Sequence, residues 1–308
     1  MGKNNFFSKT VNKSRGLDDK YYPYLLETPI LLIFLVGGII PIVYSFVLSL
    51  FQYKLNLKSA TAFVGLKNYI SLFKDDVFLN SLWKTAYYSG GVIVFSVLIG
   101  LAIALIARRN FYGKRLFMII MLLPWGIPKV VNGMMWKWIL DPTIGVFTQI
   151  MKALGLISEN VYWMQISPFV SITFVIVADT WRSVPFVAIL LLSALQMVQI
   201  QLYEAAKCDG ANAWQKFRYI TIPGIRYVLL VVIMLQSISS LKVFDTLYTL
   251  TPLGGTDNMT TLTYMYAYKT SFSFLNLGYG SAVGYVVTLI TLLLSLSYVR
   301  LLTKSNNI

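Results

Sequence analysis

The sequence predicts an all-α polytopic membrane protein with about six transmembrane helices and a cytoplasmic helix-turn-helix loop between helices 4 and 5. Three observations predict this fold class. Of the 308 residues, 57% are hydrophobic and only 12% are charged, whereas soluble domains carry roughly 25% charged residues. Several apolar runs reach the length of about 18 residues that is typical of a membrane-spanning helix. Basic residues, in turn, concentrate in the loops that would share one side of the membrane.

Six apolar segments are predicted to cross the membrane. The first follows a basic N-terminal stretch, and it is longer than the apolar core of about 7–15 residues found in signal peptides, so we interpret it as a retained span. The third contains Pro124 and Pro128, which favour a bend within a span. The predicted spans are about 29–51, 86–107, 116–139, 166–192, 226–244 and 282–302.

The distribution of Lys and Arg predicts that both termini face the cytoplasm, because basic residues accumulate on the inner side of a membrane. The four segments that would then be cytoplasmic hold 15 Lys and Arg, whereas the loops of the opposite side hold seven over longer stretches. Under this topology residues 1–28 and 303–308 are cytoplasmic tails, and the loop 198–224 faces the cytoplasm.

The composition also excludes several functions. A formal net charge of +14 would suggest nucleic acid in a soluble protein, but here the lipid bilayer and the inner loops account for it, and we expect no nucleic-acid partner. The chain has no His and one Cys, which excludes an internal disulfide, a Cys/His zinc site and a His-based catalytic triad. It also lacks the phosphate-binding motif G-x-x-x-x-G-K-[ST]. We therefore expect no catalytic residue, metal site or bound cofactor on this chain.

The segment 203–224, YEAAKCDGANAWQKFRYITIPG, lies between the fourth and fifth predicted spans. Residues 203–209 are predicted to be helical, because they include two adjacent alanines and because Glu204 suits the positive end of a helix dipole. Gly210 is expected to end this helix in a turn, and a second short helix follows. The residues alone leave two interpretations open: a lever held by a span at each end, or a loop that rests on lipid headgroups.

This segment resembles the EAA loop of membrane permeases in binding-protein-dependent ABC importers, where the pattern is roughly EAA-x-x-DGA followed by F-x-x-I-x-LP. The chain has EAAKCDGA at 204–211 and FRYITIP at 217–223. Ile222 replaces the usual Leu before Pro223, and Gln199 stands where Pro is frequent. Four further stretches resemble the carbohydrate-uptake branch of these importers, and within it the first of the two permease subunits: 122–139, 180–186, 242–251 and 278–282.

The resemblance implies a permease domain over 29–302 that contains an EAA coupling loop at 198–224. In that family the loop docks on a cytoplasmic ATPase, and the residues that match this role here are Glu204, Ala205, Ala206, Asp209 and Gly210. The implied partners are a second homologous permease subunit, two copies of an ATPase subunit that binds ATP and Mg, and an extracytoplasmic solute-binding protein. The implied location is the cytoplasmic membrane of a prokaryote.

Two polar stripes on the spans are candidates for a substrate pathway. Charged and amide side chains are costly in a bilayer and usually face the interior of a bundle or a wet cavity. Such stripes either join helices through hydrogen bonds worth about 0.6–2 kcal/mol or line a pathway, and the resemblance to maltose-type permeases implies sugar contacts at these positions. One stripe, in which Asp179 and Arg182 are close enough to pair, comprises Asp179, Arg182, Ser183 and Phe186; the other comprises Gln236, Ser239, Ser240 and Val243.

Two other functions compete with the sugar importer. An ion-coupled secondary carrier would use Asp179 for protons, but the sequence shows no inverted repeat of the kind that such carriers contain. A membrane enzyme acting on lipid-linked sugars would need a cluster of cytoplasmic carboxylates for Mg²⁺, which the chain lacks. Neutral sugars, polyols and glycerol phosphates are all compatible with the importer, and Arg182 allows an anionic group.

Overall fold

The computed structural model describes residues 22–55 and 61–305. Most of the predicted N-terminal tail (1–21) and the last three residues (306–308) lie outside the described residues. The chain divides into two compact units, the first ending at Leu48 and the second beginning at Ser49. Each unit is described by itself.

The described part of the first unit is a single apolar helical segment, whose last residue, Ser49, already belongs to the second unit. It consists of α1 (Tyr22–Phe34), a π-helical turn (Leu35–Ile39) and α2 (Ile40–Ser49). Residues 26–49 are long and apolar enough to cross a membrane, since about 20 residues suffice. Their side chains are largely exposed, for example Ile30 at 70% and Ile33 at 75%, which is the pattern of a helix that presents its apolar surface to lipid.

The second unit is built on four long helices, α4 (Asp76–Arg108), α8 (Pro168–Met197), α11 (Ile222–Leu241) and α14 (Leu277–Ser305). Its short elements are β1 (Phe51–Gln52), β2 (Ala62–Phe63), α3 (Lys67–Leu72), α5 (Lys114–Leu122), α6 (Lys129–Ile139), α7 (Val146–Ala153), α9 (Ile200–Cys208), α10 (Ala213–Lys216), α12 (Asp245–Leu250) and α13 (Thr263–Tyr268). The two strands pair antiparallel, with Phe51 opposite Phe63.

Polar capping residues, and not the hydrophobic pattern, set the starts of α4 and α8. Asp75 accepts hydrogen bonds from the backbone amides of Val77 and Phe78 and so caps α4. This cap lies eleven residues before the predicted start of the second span near residue 86, because the polar first turns of α4 remain helical. Ser167 caps α8 in the same way through the amide of Val170, and Pro168 occupies the first helical position, where its missing amide costs nothing.

The third predicted span, about 116–139, is not one continuous helix. Residues 114–126 and 129–139 are separate helical pieces bent by 98°, far more than a kinked helix would show. Among the described residues, five helices are long and apolar enough to span a membrane, or six if this bent pair counts as one. The proline at position 128 lacks the amide that would continue the helix, so the chain turns there and α6 starts afresh at Lys129.

The fifth predicted span, about 226–244, is part of a longer helical segment that begins before Pro223. Residues 213–241 form one helical segment in which a π-helical turn (Phe217–Thr221) joins α10 to α11. The extra residue in that turn displaces the backbone pairing just before the proline. The loop 198–224 is therefore joined to the fifth span without a break in the helix.

The helices of the second unit pack around three apolar clusters. One buries residues of α4, α8 and α12, including Tyr88, Val175 and Leu247; a second joins α4 to α8 and α11 through Ala104, Leu191 and Ile225. The third lies between α4, α13 and α14 and includes Phe78, Tyr266 and Val283.

Gly133 allows the closest contact between α6 and α12. A Cβ atom placed there would lie 1.7 Å from the Thr249 hydroxyl oxygen and 2.9 Å from the Thr246 carbonyl oxygen. Only glycine permits two helix backbones to approach this closely. The two short helices are therefore fixed against each other at this point.

Asp75 also joins the start of α4 to two other elements. Its Oδ2 accepts hydrogen bonds from the hydroxyls of Tyr266, at 2.5 Å, and Tyr279, at 2.7 Å. Partial burial by itself raises the pKa of Asp75, but the two tyrosine hydrogen bonds and those of the Phe78 and Val77 amides outweigh it and hold the pKa below its usual value.

Stability should accordingly depend on the protonation of Asp75. Because its pKa is lower in the folded than in the unfolded chain, the carboxylate stabilises the fold fully above the unfolded pKa of 3.8 and loses that contribution as the pH falls through the folded pKa. We expect Asp75→Asn to lower the melting temperature at pH 7. We also expect the melting temperature of this variant to fall less than that of the unsubstituted chain when the pH is lowered. The measurement is thermal unfolding in detergent from pH 7 to pH 3, with Asp76→Asn at the exposed neighbouring position as control. Parallel pH profiles for Asp75→Asn and the unsubstituted chain would contradict this expectation.

Candidate substrate cleft and cytoplasmic loop

A small polar cleft lies among the helices of the second unit. Its cavity volume is about 20 Å³, which is room for about one water molecule. Residues from α4, α6, α8 and α11 line it, together with one residue just beyond α11: Tyr88, Val92, Lys129, Asp179, Arg182, Ser183, Gln236, Ser239, Ser240 and Val243. Polar groups from four segments thus converge inside an otherwise apolar bundle.

The structure brings together all of the predicted pathway residues except Phe186. The two stripes on α8 and α11 face each other across the cleft, as their helical spacing favours. Phe186 instead stacks on Trp125, with ring centroids 5.7 Å apart and the planes 16° from parallel. Phe186 lies one turn beyond Arg182 on α8. At that level α8 contacts the segment 114–126, so the Phe186 ring packs on Trp125 of that segment and does not line the cleft.

Asp179 forms the centre of a buried hydrogen-bond network. Its Oδ2 accepts from the Tyr88 hydroxyl at 2.5 Å, and its Oδ1 accepts from the Thr246 hydroxyl at 2.7 Å and, more weakly, from the Asn132 amide at 3.5 Å. The Asn132 amide also donates to the Ala178 carbonyl oxygen at 3.2 Å. Each of these partners can donate to the carboxyl group of Asp179. Asp179 therefore holds α4, α6, α8 and α12 together.

The expected pairing of Asp179 with Arg182 is absent from the described hydrogen bonds of this carboxylate, which come from uncharged groups. Arg182 lines the cleft beside it, and its Nε is buried without a hydrogen-bond partner among the described residues. Lys129 lines the same cleft from the first position of α6. The cleft thus contains two cations and one carboxylate whose hydrogen-bonding capacity is used elsewhere.

Sequence reasoning missed Tyr88 and Lys129 as cleft residues. Lys129 gave a signal, because a charged residue within a predicted span usually faces a polar interior. Tyr88 gave none, since the chain contains 20 tyrosines and a tyrosine near the end of a span is ordinarily an interface residue.

The loop after α8 forms the predicted helix and turn. α9 ends at Cys208, and Gly210 adopts a left-handed conformation with φ +75°. The amide of Ala211 donates to the Ala206 carbonyl oxygen at 2.8 Å, and that of Gly210 donates to the Lys207 carbonyl oxygen at 3.1 Å. The residues expected to contact an ATPase lie on the surface: Glu204, Ala205, Asp209 and Gly210 are exposed and Ala206 is half-buried.

Tyr203 joins this loop to the ends of two long helices. Its hydroxyl accepts a hydrogen bond from Arg108 Nη1, at the end of α4, at 2.9 Å, and lies 2.9 Å from the Thr221 hydroxyl just before α11. The Arg108 guanidinium also lies over the Tyr203 ring, 4.5 Å from its centroid, which is a favourable cation–π distance. Displacement of α9 would therefore act on α4 and α11.

Tyr203→Phe should loosen this connection while leaving the ring in place. The change removes both hydrogen bonds of the hydroxyl, each worth about 1 kcal/mol, so local opening of the loop should become roughly thirtyfold more frequent. Hydrogen exchange of the backbone amides of 200–212 measures this opening. Tyr219→Phe, at a tyrosine that is 71% exposed, is the matched control. Equal exchange in both variants would show that the Tyr203 hydroxyl does not hold the loop.

The described residues contain no group of three or more His, Cys, Asp or Glu side chains close enough together to hold a metal ion. The expectation that ATP and Mg are bound by a partner and not by this chain stays a prediction.

The comparisons of this chain with known proteins agree on one family. The model of the family "Binding-protein-dependent transport system inner membrane component" matches residues 96–305. The trehalose/maltose transport system permease protein MalF of Thermococcus litoralis is 34% identical over 276 residues, which cover 89% of this chain and 90% of that protein. The inner membrane ABC transporter permease protein YcjO of Escherichia coli is 32% identical, with 89% and 92% covered.

The fold has a counterpart among solved structures. A chain of a bacterial ABC transporter involved in the import of the acidic polysaccharide alginate superimposes with a TM-score of 0.79 at 21% identity, and the match covers 92% of this chain and 96% of that one. At this identity the likeness concerns the fold alone. Together with the sequence matches, it identifies the chain as a member of the inner membrane components of binding-protein-dependent transport systems: it is an integral membrane permease subunit of an ABC importer, and not an enzyme.

Proposed function

We propose that this permease carries a sugar or oligosaccharide across the cytoplasmic membrane of a prokaryote, and that the cleft between α4, α6, α8 and α11 lies on its path. The observation that carries the proposal is the convergence of hydroxyl, amide, carboxylate and guanidinium groups in one cleft within an apolar bundle. Sugars need many hydrogen-bond partners, and placing such groups in a membrane is costly unless they serve a ligand or a wet cavity. The name of the relative from Thermococcus litoralis, which refers to trehalose and maltose, supports a carbohydrate.

The loop 198–224 is proposed to dock on the ATPase. Its exposed helix α9 offers two alanines for close approach and Glu204 for a basic group on the partner, and the turn at Gly210 fixes its shape. Closure of the ATPase dimer would displace α9. The displacement would then reach α4 through Tyr203 and Arg108, and α11 through the unbroken helix from 213 to 241.

The assembly is proposed to contain this chain, a second homologous permease, two copies of an ATPase subunit and an extracytoplasmic solute-binding protein. Both termini and the loop 198–224 would face the cytoplasm. ATP binding would open the cleft to the outside to receive sugar from the docked binding protein, and hydrolysis would return it to the inward-open state.

Purification of the tagged chain from its own membranes tests this assembly. We expect a second permease in equal amount and an ATPase in about twice that amount, and import into vesicles that contain the assembly should require internal ATP. Import driven by a proton gradient without ATP would favour the ion-coupled secondary carrier instead.

The orientation has an independent test in Cys208, the only cysteine of the chain, which is exposed at the end of α9. A membrane-impermeant maleimide should label it in permeabilised cells or inverted vesicles and leave it unlabelled in intact cells. Labelling in intact cells would place the loop outside and would refute its docking on a cytoplasmic ATPase.

A further inference from the structure

We infer that the transported saccharide carries an anionic group, such as a carboxylate, phosphate or sulfonate, which binds between Lys129 and Arg182. The inference rests on the proposed transport of a sugar through the cleft and specifies its chemical class. The juxtaposition that carries it is two cations beside a single carboxylate in a cleft enclosed by the helices of the bundle.

The cleft contains more basic than acidic side chains. It is lined by Lys129 and Arg182, and Asp179 is the only acidic residue among the described residues that line it. An uncompensated positive charge inside a membrane bundle is costly, and an anionic ligand would neutralise it.

The side chains of Lys129 and Arg182 are available to a ligand. The hydrogen bonds described for the Asp179 carboxylate come from Tyr88, Thr246 and Asn132 and hold four helices together. Neither cation takes part in that network. The buried Nε of Arg182 has no partner among the described residues, and an unsatisfied buried donor is costly until a ligand accepts its hydrogen bond.

Lys129 is placed to attract an anion. The bend before α6 places it at the first position of that helix, where the positive end of the helix dipole adds to the charge of its ammonium group. A guanidinium donates through a planar fork that matches a carboxylate or phosphate, and an ammonium adds a point charge. The serine and glutamine side chains across the cleft remain for the sugar hydroxyls.

Uptake of matched sugars tests the inference in cells with the complete importer. A strain that lacks this chain and the same strain with the chain restored are given a mixture of uronic-acid disaccharides, sugar phosphates and sulfonated sugars, each with its neutral counterpart. Mass spectrometry follows the loss of each compound from the medium. We expect at least one acidic compound to be taken up by the strain that has this chain and not by the strain that lacks it. Dependent uptake of neutral compounds alone would overturn the inference, and dependent uptake of none would overturn the proposed sugar transport together with it.

Substitution of Lys129 tests the site itself. Lys129→Met should slow uptake of the dependent acidic compound about tenfold, the effect of losing one charge-assisted contact, while Lys129→Arg should stay within about twofold. Copurification of the ATPase shows for both variants that the importer is assembled. Wild-type uptake of the acidic compound by assembled Lys129→Met would overturn the assignment.

Discussion

Gly210→Val should reduce import by tenfold or more while leaving the membrane-spanning helices folded. The reason is the backbone conformation at this position, because a residue with a Cβ is strained at φ +75° by roughly 1–2 kcal/mol, and a β-branched residue by more. A clash is not involved, since nothing lies within 4 Å of the Cβ position. The strain would be relieved by opening the turn that fixes α9, and the ATPase would then act without moving the bundle.

The matched control for this prediction is Gly210→Asn. Asparagine tolerates the left-handed conformation better than other residues with a side chain, so this variant should import at close to the normal rate. Sugar uptake and ATP hydrolysis are measured together on the complete importer, and the ratio of sugar imported to ATP hydrolysed should fall only for Gly210→Val. Normal import by Gly210→Val would show that the turn has no part in transmitting the motion of the ATPase.

Asp179→Ala should produce the largest loss of stability among substitutions in the cleft. It leaves the donors of Tyr88 and Thr246 in a buried site without their acceptor. A buried donor left unsatisfied costs about 1–3 kcal/mol, so we expect the two donors together to cost about 2–6 kcal/mol. The measurement is the temperature at which the detergent-solubilised protein ceases to elute as a single species in size-exclusion chromatography.

Two further variants test whether the loss of stability comes from the hydrogen bonds of Asp179. Asp179→Asn keeps one oxygen as an acceptor and should cost less than the alanine substitution. Tyr88→Phe should destabilise the unsubstituted chain, but it should cost little in the Asp179→Ala background, where its acceptor is already gone. Unchanged thermal stability of Asp179→Ala, or full additivity of the two substitutions, would contradict the role of Asp179 as the centre of the network.

The spans could be predicted from the sequence because an apolar run of sufficient length has few alternatives to crossing the membrane. The position of the break before α6 could be predicted from the sequence, but the angle between the two helical pieces could not. Pro124 and Pro128 indicate a bend, but the angle of 98° is set by where α6 packs, and that depends on α12, more than 100 residues later. Likewise, the hydropathy of α4 does not show where the helix begins, because its first turns are polar and its start at Asp76 is set by the cap of Asp75.

The cleft was predictable where it depended on helical periodicity. Asp179 and Ser183 on α8, and Gln236 and Ser240 on α11, recur at the spacing that places side chains on one face, so two stripes could be drawn from the sequence. The remainder depended on contacts between distant segments. The Tyr88 hydroxyl reaches Asp179 across 91 positions of the chain, and no local pattern distinguishes it from a tyrosine at the membrane surface.

The contact of Gly133 with Thr246 and Thr249 has a consequence for the transport cycle. Because the two helix backbones are in direct contact there, we expect α6 and α12 to move together. Lys129, at the start of α6, would then be displaced whenever α12 is. In the proposed transport cycle the ammonium group in the cleft would therefore change position together with the segment that follows the fifth span.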